Sequence, residues 1–288
     1  KKGDLKIRVY AMISNTRDNL NYFLDKGIIE QEKLTVRSVK AYLDGALGSR
    51  GALLKKPYSD DNKNKGITIT TKEELFELAK KLSSKGFQLN THAIGDKANE
   101  IVLDVYNYIL KDIEDPRWRV EHAQVVDEFD IQKFNSKIIP SVQPTHATSD
   151  MNWADDRLGS SRLKRAYSYK NLLDWSGKIA LGTDFPVEKV NPLLTFYSAV
   201  ARKDIEGNPS EGFLKENALT RTEALKGMTI WAAYSNFEDS FKGSIEIGKF
   251  ADFVILTKDI MEVPEEEITK VDVVATIVNG SIVFQKFD

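Results

Sequence analysis

FQLNTHAIGDKANEIVLDVYNYILKDIEDPRWRVEHAQ, residues 87–124, decides the fold. It opens on a short β-rich run, FQLNTHA (87–93), and closes on another, WRVEHA (118–123). Between them lies GDKANEIVLDVYNYILKD, where Ile101, Val105 and Tyr108 recur at helical spacing and predict one side of an amphipathic helix. Strand, helix-length crossover and strand together imply two parallel strands, because antiparallel neighbours need only a tight turn. Each of the two strands ends near a histidine, His92 in the first and His122 in the second.

The same alternation continues on both sides. LKIRVYAM (5–12), TVRSVKAYL (35–43), KIIPSVQ (137–143) and KIALGTD (178–184) are further strand candidates. TKEELFELAKKLSSKG places Leu75, Leu78 and Leu82 on one helical face, and Gly86 stops the helix. Two α/β architectures fit this pattern, a doubly wound sheet and a (β/α)8 TIM barrel. No glycine-rich phosphate loop follows any strand, which removes the usual dinucleotide signature. Lys40, His92, His122, Gln143 and Asp184 instead fall near strand C-terminal ends, the rim from which barrels draw their chemistry. The expected fold is therefore an incomplete (β/α)8 barrel of about six strand–helix units over residues 1–237. After the helix-like TRTEALKGMTIWAAYSNF (220–237), GSIEIGKFADFVIL and VVATIVNGSIVF alternate apolar and polar residues, and Asn279 with Gly280 marks a hairpin. Residues 238–288 are expected to form strands of a small β-structure, and the polar SDDNKNKG (59–66) a surface loop.

Composition excludes several function classes. A formal charge of −2 gives no bulk attraction to nucleic acid or to an anionic membrane. With no cysteine, thiolate ligands, disulfides and a cysteine nucleophile are out. No apolar run approaches the ~18 residues that span a bilayer. The first residues, KKGDLKIRVYAM, lack a signal-cleavage site and read as mid-domain sequence, so localisation stays open, with the cytoplasm slightly favoured.

Only three histidines are present, so their positions carry weight. Taken singly, His92 and His122 each read as a packed imidazole or as a metal ligand; two on successive strands of one rim strengthen the second reading. His146, in SVQPTHATSD, faces the same mouth or sits in a loop without a role. Asp184 closes the apolar run IALGTD, where a carboxylate is costly unless paired or metal-bound, although a helix cap is the alternative. Lys40 is either a strand lysine reaching solvent or an amine kept neutral by burial. DGALGSRGA (44–52) is a loop over the mouth or a turn before the next helix. The stretch 144–176 reads as a specificity loop, in which Arg157, Arg162 and Arg165 meet an acidic substrate group or solvent.

In chain order, VKAYLDGALGSRGALL, NTHAIGDKA, RVEHAQ, SVQPTHATSD, LGTDFPVEKVNPL and GSIEIGKFADFVIL resemble the metal-dependent amidohydrolase superfamily. The resemblance is nearest to amidohydrolase family 3, the branch of N-substituted formamide deformylase-like proteins. It implies a (β/α)8 barrel beside a small β-sandwich. It also implies that Lys40, as a carbamate, and His92, His122 and Asp184 hold a divalent metal, most simply zinc. Asp184 would additionally shuttle protons, and His146 would contact substrate or oxyanion; Asp44, Arg50 and Asp96 would order loops. The implied reaction is metal-assisted hydrolysis of a small-molecule amide, with a deaminase, a cyclic-amide hydrolase or a non-catalytic fragment as alternatives. One departure stands out: no His-x-His pair of the kind that opens these barrels is present. The first two strand–helix units are therefore expected upstream of Lys1, the isolated chain is expected to be poorly competent, and its exposed edges to favour a homodimer.

Overall fold

The computed structural model describes residues 5–286. Among these residues ten strands run in chain order: β1 (Val9–Ser14), β2 (Ile29–Gln31), β3 (Leu34–Tyr42), β4 (Gln88–Ala93), β5 (Trp118–His122), β6 (Ile138–Val142), β7 (Ala180–Leu181), β8 (Phe253–Leu256), β9 (Val273–Val278) and β10 (Ser281–Gln285). The helices are α1 (Arg17–Lys26), α2 (Lys72–Ser83), α3 (Asp96–Ile109), α4 (Pro144–Asp150), α5 (Ala154–Leu158), α6 (Ser160–Leu163), α7 (Tyr169–Ser176), α8 (Pro192–Ala201), α9 (Arg221–Met228) and α10 (Ile230–Ser235).

Strand order decides between the two architectures. The main sheet runs β1-β3-β4-β5-β6-β7, every pair parallel and every strand beside its predecessor. A doubly wound sheet reverses direction at a switch point; this one never does. It is a curled, unclosed (β/α)8 sheet of six parallel strands with β1 and β7 as its edges. β3 is flanked along residues 34–40 by β1; its other side is taken first by the short antiparallel β2 and then, from Ser38, by β4.

The helices form where the sequence caps them. Thr71 and Glu74 close a capping box at α2, and Thr220 and Glu223 close another at α9. Leu75, Leu78 and Leu82 are buried, as their spacing predicts. In α3 the buried face differs from the expected one. Ala98, Val102, Val105 and Tyr106 are buried, whereas Tyr108 is exposed and leans on Phe76 of α2 with ring centroids 5.5 Å apart. The polar Asn99 on that face is tolerated because its amide donates to four backbone carbonyls, among them Ala93 and Val125. The expected helix 220–237 is two helices, broken at Thr229 (φ −124°, ψ −96°), where the Thr229 hydroxyl bonds back to the Leu225 carbonyl. The stretch 144–176 is not a loop, since α4 to α7 fill most of it.

A separate antiparallel sheet, β10-β9-β8, follows. Asn279 (φ 52°) and Gly280 (φ 76°) make its hairpin turn, the conformation Asn-Gly favours. One tie to the first sheet is the Arg8–Asp252 ion pair at 2.8 Å. Among the described residues no helix is long and apolar enough to cross a membrane.

Candidate metal centre at the strand ends

Parallel neighbours in register set side chains abreast on one face of the sheet. The register therefore builds rows. The row at the strand ends contains Tyr42, His92, Glu121 and Ser141; the next contains Ser14, Lys40, Asn90 and Arg119. The opposite face holds Val39, Leu89 and Val120, all fully buried. Polar residues thus predominate on the concave side, where Ile139 continues the second row, and apolar residues on the helix-facing side, where Thr91 is an exception bonded to Tyr106.

His122 breaks this alternation. Trp118 and Val120 point toward the helices, where Trp118 meets Tyr106 with ring centroids 4.9 Å apart. Strict alternation would send His122 the same way. Left-handed backbone at His122 (φ 74°) and Ala123 (φ 42°) redirects the chain, and the His122 ring lies 4.6 Å from that of His92. Asp184 is also left-handed (φ 55°). Such conformations cost of order 1–3 kcal/mol each outside glycine and collect at functional sites.

Each histidine has its own second partner. His92 Nε2 lies 3.4 Å from the Gly45 carbonyl and 3.4 Å from Asp44 Oδ1. His122 Nδ1 is 2.8 Å from Gln143 Oε1, and His146 Nδ1 is 2.9 Å from Glu188 Oε1. Burial, reinforced by His122 and Lys40, pushes the His92 imidazole down to about 3. Burial and then Lys40 push His122 down to about 4. Both rings are consequently neutral near pH 7, the form that binds metals. His146 behaves oppositely: burial works downward, but Asp184 and Glu188 carry it up to about 9. For Asp184 burial works upward, yet His146, His122 and Lys40 hold its carboxyl below the usual range. Lys40 is drawn below its ordinary value by burial, against the pull of Glu121 and Asp184.

Among the described residues, His122, His146 and Asp184 offer ligand atoms that all lie within 4.8 Å of one another. Two imidazoles and a carboxylate suit zinc or a similar divalent ion. His92 adjoins this trio through His122. Lys40 sits in the row beneath, its Nζ 5.0 Å from the Tyr42 ring centroid.

The loop 44–52 is ordered. Buried Asp44 accepts backbone N–H bonds from Leu53 (2.8 Å), Ile94 (3.0 Å) and Gly95 (2.8 Å), tying this loop to the turn that follows His92. Arg50 pairs with Asp60 at 2.8 Å, and Asp96 accepts from the Lys55 N–H at 2.8 Å. The three arginines of 144–176 are engaged within the protein: Arg157 with Asp60, Arg162 with the Lys56 carbonyl and Ser59, and Arg165 with Asp127 and Glu128. Arg119, Glu121 and Glu188 are not among the candidates read from the sequence. Arg119 and Glu121 form a buried pair at 2.7 Å on the concave face, and period-two counting from His92 across the sheet would have found them.

A model of the Amidohydrolase family matches residues 2–284, and the chain belongs to that family. It is 34% identical over 97% of its length to Protein LONG AFTER FAR-RED 3 of Arabidopsis thaliana and 35% identical over 86% to YtcJ of Bacillus subtilis (strain 168). It is 26% identical over 90% to the N-substituted formamide deformylase of Arthrobacter pascens. These alignments cover 48%, 47% and 48% of the relatives, so the chain spans about half the length of the curated relatives it matches. An uncharacterized metal-dependent hydrolase from Pyrococcus horikoshii OT3 shares its structure with a TM-score of 0.78 and 33% identity, over 91% of this chain and 53% of that one.

Proposed function

We propose that this chain carries the metal-holding rim of a hydrolase that cleaves the C–N bond of a small amide or formamide. The observation that supports this most directly is that His122 and Asp184, two of the proposed ligands, offer atoms within 4.8 Å of each other and of His146 at the strand ends. Lys40, as a carbamate, His92, His122 and Asp184 would hold the ion. A bound zinc would supply Lewis acidity toward a carbonyl oxygen and toward water. Asp184 is partly exposed and 3.7 Å from His146 Nε2, which suits it to take a proton from the attacking water and deliver it to the leaving nitrogen. His146, charged near neutrality, is suited to donate from Nε2 to the carbonyl oxygen as negative charge develops there. Tyr42, exposed in the same row as His92, would give the mouth a flat apolar wall. The bond class draws support from the formamide deformylase among the relatives.

Cobalt(II) titration followed by visible absorption, paired with formate release from N-substituted formamides, tests the proposal. Saturable binding in the chain and its loss in Asp184→Asn or His122→Ala are expected. Binding that survives both substitutions would refute the site. A metal-loaded protein extended to the relatives' full length that leaves every formamide and amide intact would refute the reaction.

A further inference from the structure

The segment that leaves β7 brings two carboxylates against one ring. Asp184 Oδ2 lies 3.7 Å from His146 Nε2, and Glu188 Oε1 lies 2.9 Å from His146 Nδ1. A carboxylate only accepts hydrogen bonds, so the Nδ1 contact requires the proton on Nδ1. Nε2 is then the nitrogen turned toward Asp184 and the strand ends. Glu188 is itself held in place, because Ser149 Oγ, three residues beyond His146, donates to the same Oε1 at 2.7 Å. With its side chain only 16% exposed, the Glu188–His146 bond is shielded from water. Rotating the ring to exchange its edges would break this bond and offer Glu188 a carbon instead.

We propose that Glu188 is the positioning residue for His146, fixing its ring orientation and keeping Nδ1 protonated in both the charged and the neutral ring, so that Nε2 is the nitrogen that gives up or regains a proton toward the strand ends. The role this gives the ring in chemistry rests on the function proposed above; the hydrogen bond does not. Gln143 stands in the same relation to His122, with its oxygen 2.8 Å from Nδ1. The difference is charge: Glu188 adds an anion, and a charge-assisted bond is about twice as strong as a neutral one. Because Asp184 and Glu188 belong to one short segment, the ring's two contacts are set together.

The test is a long-range proton–nitrogen correlation of the imidazole rings in the full chain, labelled with 15N-histidine and free of metal. Three histidines make the spectrum assignable by single substitutions. The sample is titrated to alkaline pH until all rings are neutral. His146 is expected to show a protonated Nδ1 and a bare Nε2. In Glu188→Ala it should shift to the Nε2–H form that free histidine prefers, while Ser149→Ala keeps Nδ1–H; unchanged His92 and His122 signals would report an intact fold. Should Glu188→Ala fail to fold, Glu188→Gln serves, since it keeps an acceptor and should retain Nδ1–H with a weaker bond. A bare Nδ1 in the unsubstituted chain, or a His146 signal indifferent to Glu188→Ala, would overturn the inference. Absence of cobalt binding in a protein extended to the relatives' full length would sink the proposed function and leave this result standing.

Discussion

Replacing Asp44 tests whether the mouth of the sheet is held from within the chain. Its carboxylate is fully buried and takes three backbone N–H bonds: Leu53 and Gly95 on Oδ2, Ile94 on Oδ1. Asp44→Ala leaves all three donors without a partner. At about 1–3 kcal/mol for each buried unsatisfied group, and with water entering the vacated space to recover part, the loss should be about 3–5 kcal/mol. Asp44→Asn is milder. Its carboxamide oxygen can keep the two bonds at the Oδ2 position while the NH2 group faces the Ile94 N–H, so one bond is lost, at about 1–3 kcal/mol. Urea unfolding followed by tryptophan fluorescence should read this difference on the alkaline side of 7, where the Asp44 carboxyl is ionised. With a slope of about 2–3 kcal/mol per M, the alanine variant's midpoint should fall by about 1–2 M, and the asparagine variant's by roughly half as much. The Ile94 and Gly95 bonds follow directly after β4, so the His92 ring should also shift its NMR signals in both variants. An alanine variant within 1 kcal/mol of the parent at ~25 °C, or an asparagine variant as unstable as alanine, would refute this account of the loop.

Four further outcomes are expected. Burial pushes the Asp44 carboxyl up to about 7, so its neutral form favours folding fully below the ordinary carboxylate range, and that contribution is lost as pH rises through 7. Melting temperature should therefore fall more steeply between pH 5 and 8 in the parent than in Asp44→Asn, and parallel curves would contradict this. A Cβ on Gly95 would stand 2.0 Å from the Leu53 carbonyl oxygen, which is backbone and cannot swing aside; Gly95→Ala should cost about 1–3 kcal/mol or more by thermal melting. Gln143→Ala removes the Nδ1 partner of His122 and should weaken cobalt binding about 10–100-fold, as loss of such supporting bonds generally does; calorimetry that finds equal affinities would argue against the site. Ile245, Ile247, Val254, Ile255, Ile282 and Phe284 are exposed around the small sheet, which predicts self-association rising with concentration in sedimentation velocity.

The fold was legible because its signal is coarse and repeated. Strand–helix alternation around 87–124 required parallel pairing, and the polar strand ends favoured a barrel over a doubly wound sheet. Asn279 and Gly280 announced a hairpin because few other pairs accept both backbone conformations. What stayed hidden depends on three dimensions. Tyr108 lies off the buried face of α3 and stays exposed while touching Phe76 of α2, and no periodicity within α3 reports such a neighbour. The break at Thr229 and the helices of 144–176 were misread because short helices carry little periodic signal of their own. At the site, Lys40, His92, His122, Gln143 and Asp184 stood out in the sequence as polar or ionisable residues near strand ends, and His146 as a histidine a few residues beyond one. Glu188 and Gln143 were not assigned their roles, since each matters through one hydrogen bond to a histidine distant in sequence.

These supporting contacts act on the rim ring by ring. Precision is supplied locally by a group that follows or faces each ring: Asp44 and Gly45 at His92, Gln143 at His122, Glu188 at His146. All four residues come from segments just beyond a strand: Asp44 and Gly45 beyond β3, Gln143 beyond β6 and Glu188 beyond β7. The rings on β4 and β5 and at the start of α4 are thus gripped from neighbouring strands, and each grip also staples one strand end to another. It follows that removing one grip should disturb its own ring and spare the others. Histidine signals in Asp44→Asn, Gln143→Ala and Glu188→Ala should each change at one ring, whereas a rim that responds as one body would show all three rings changing together.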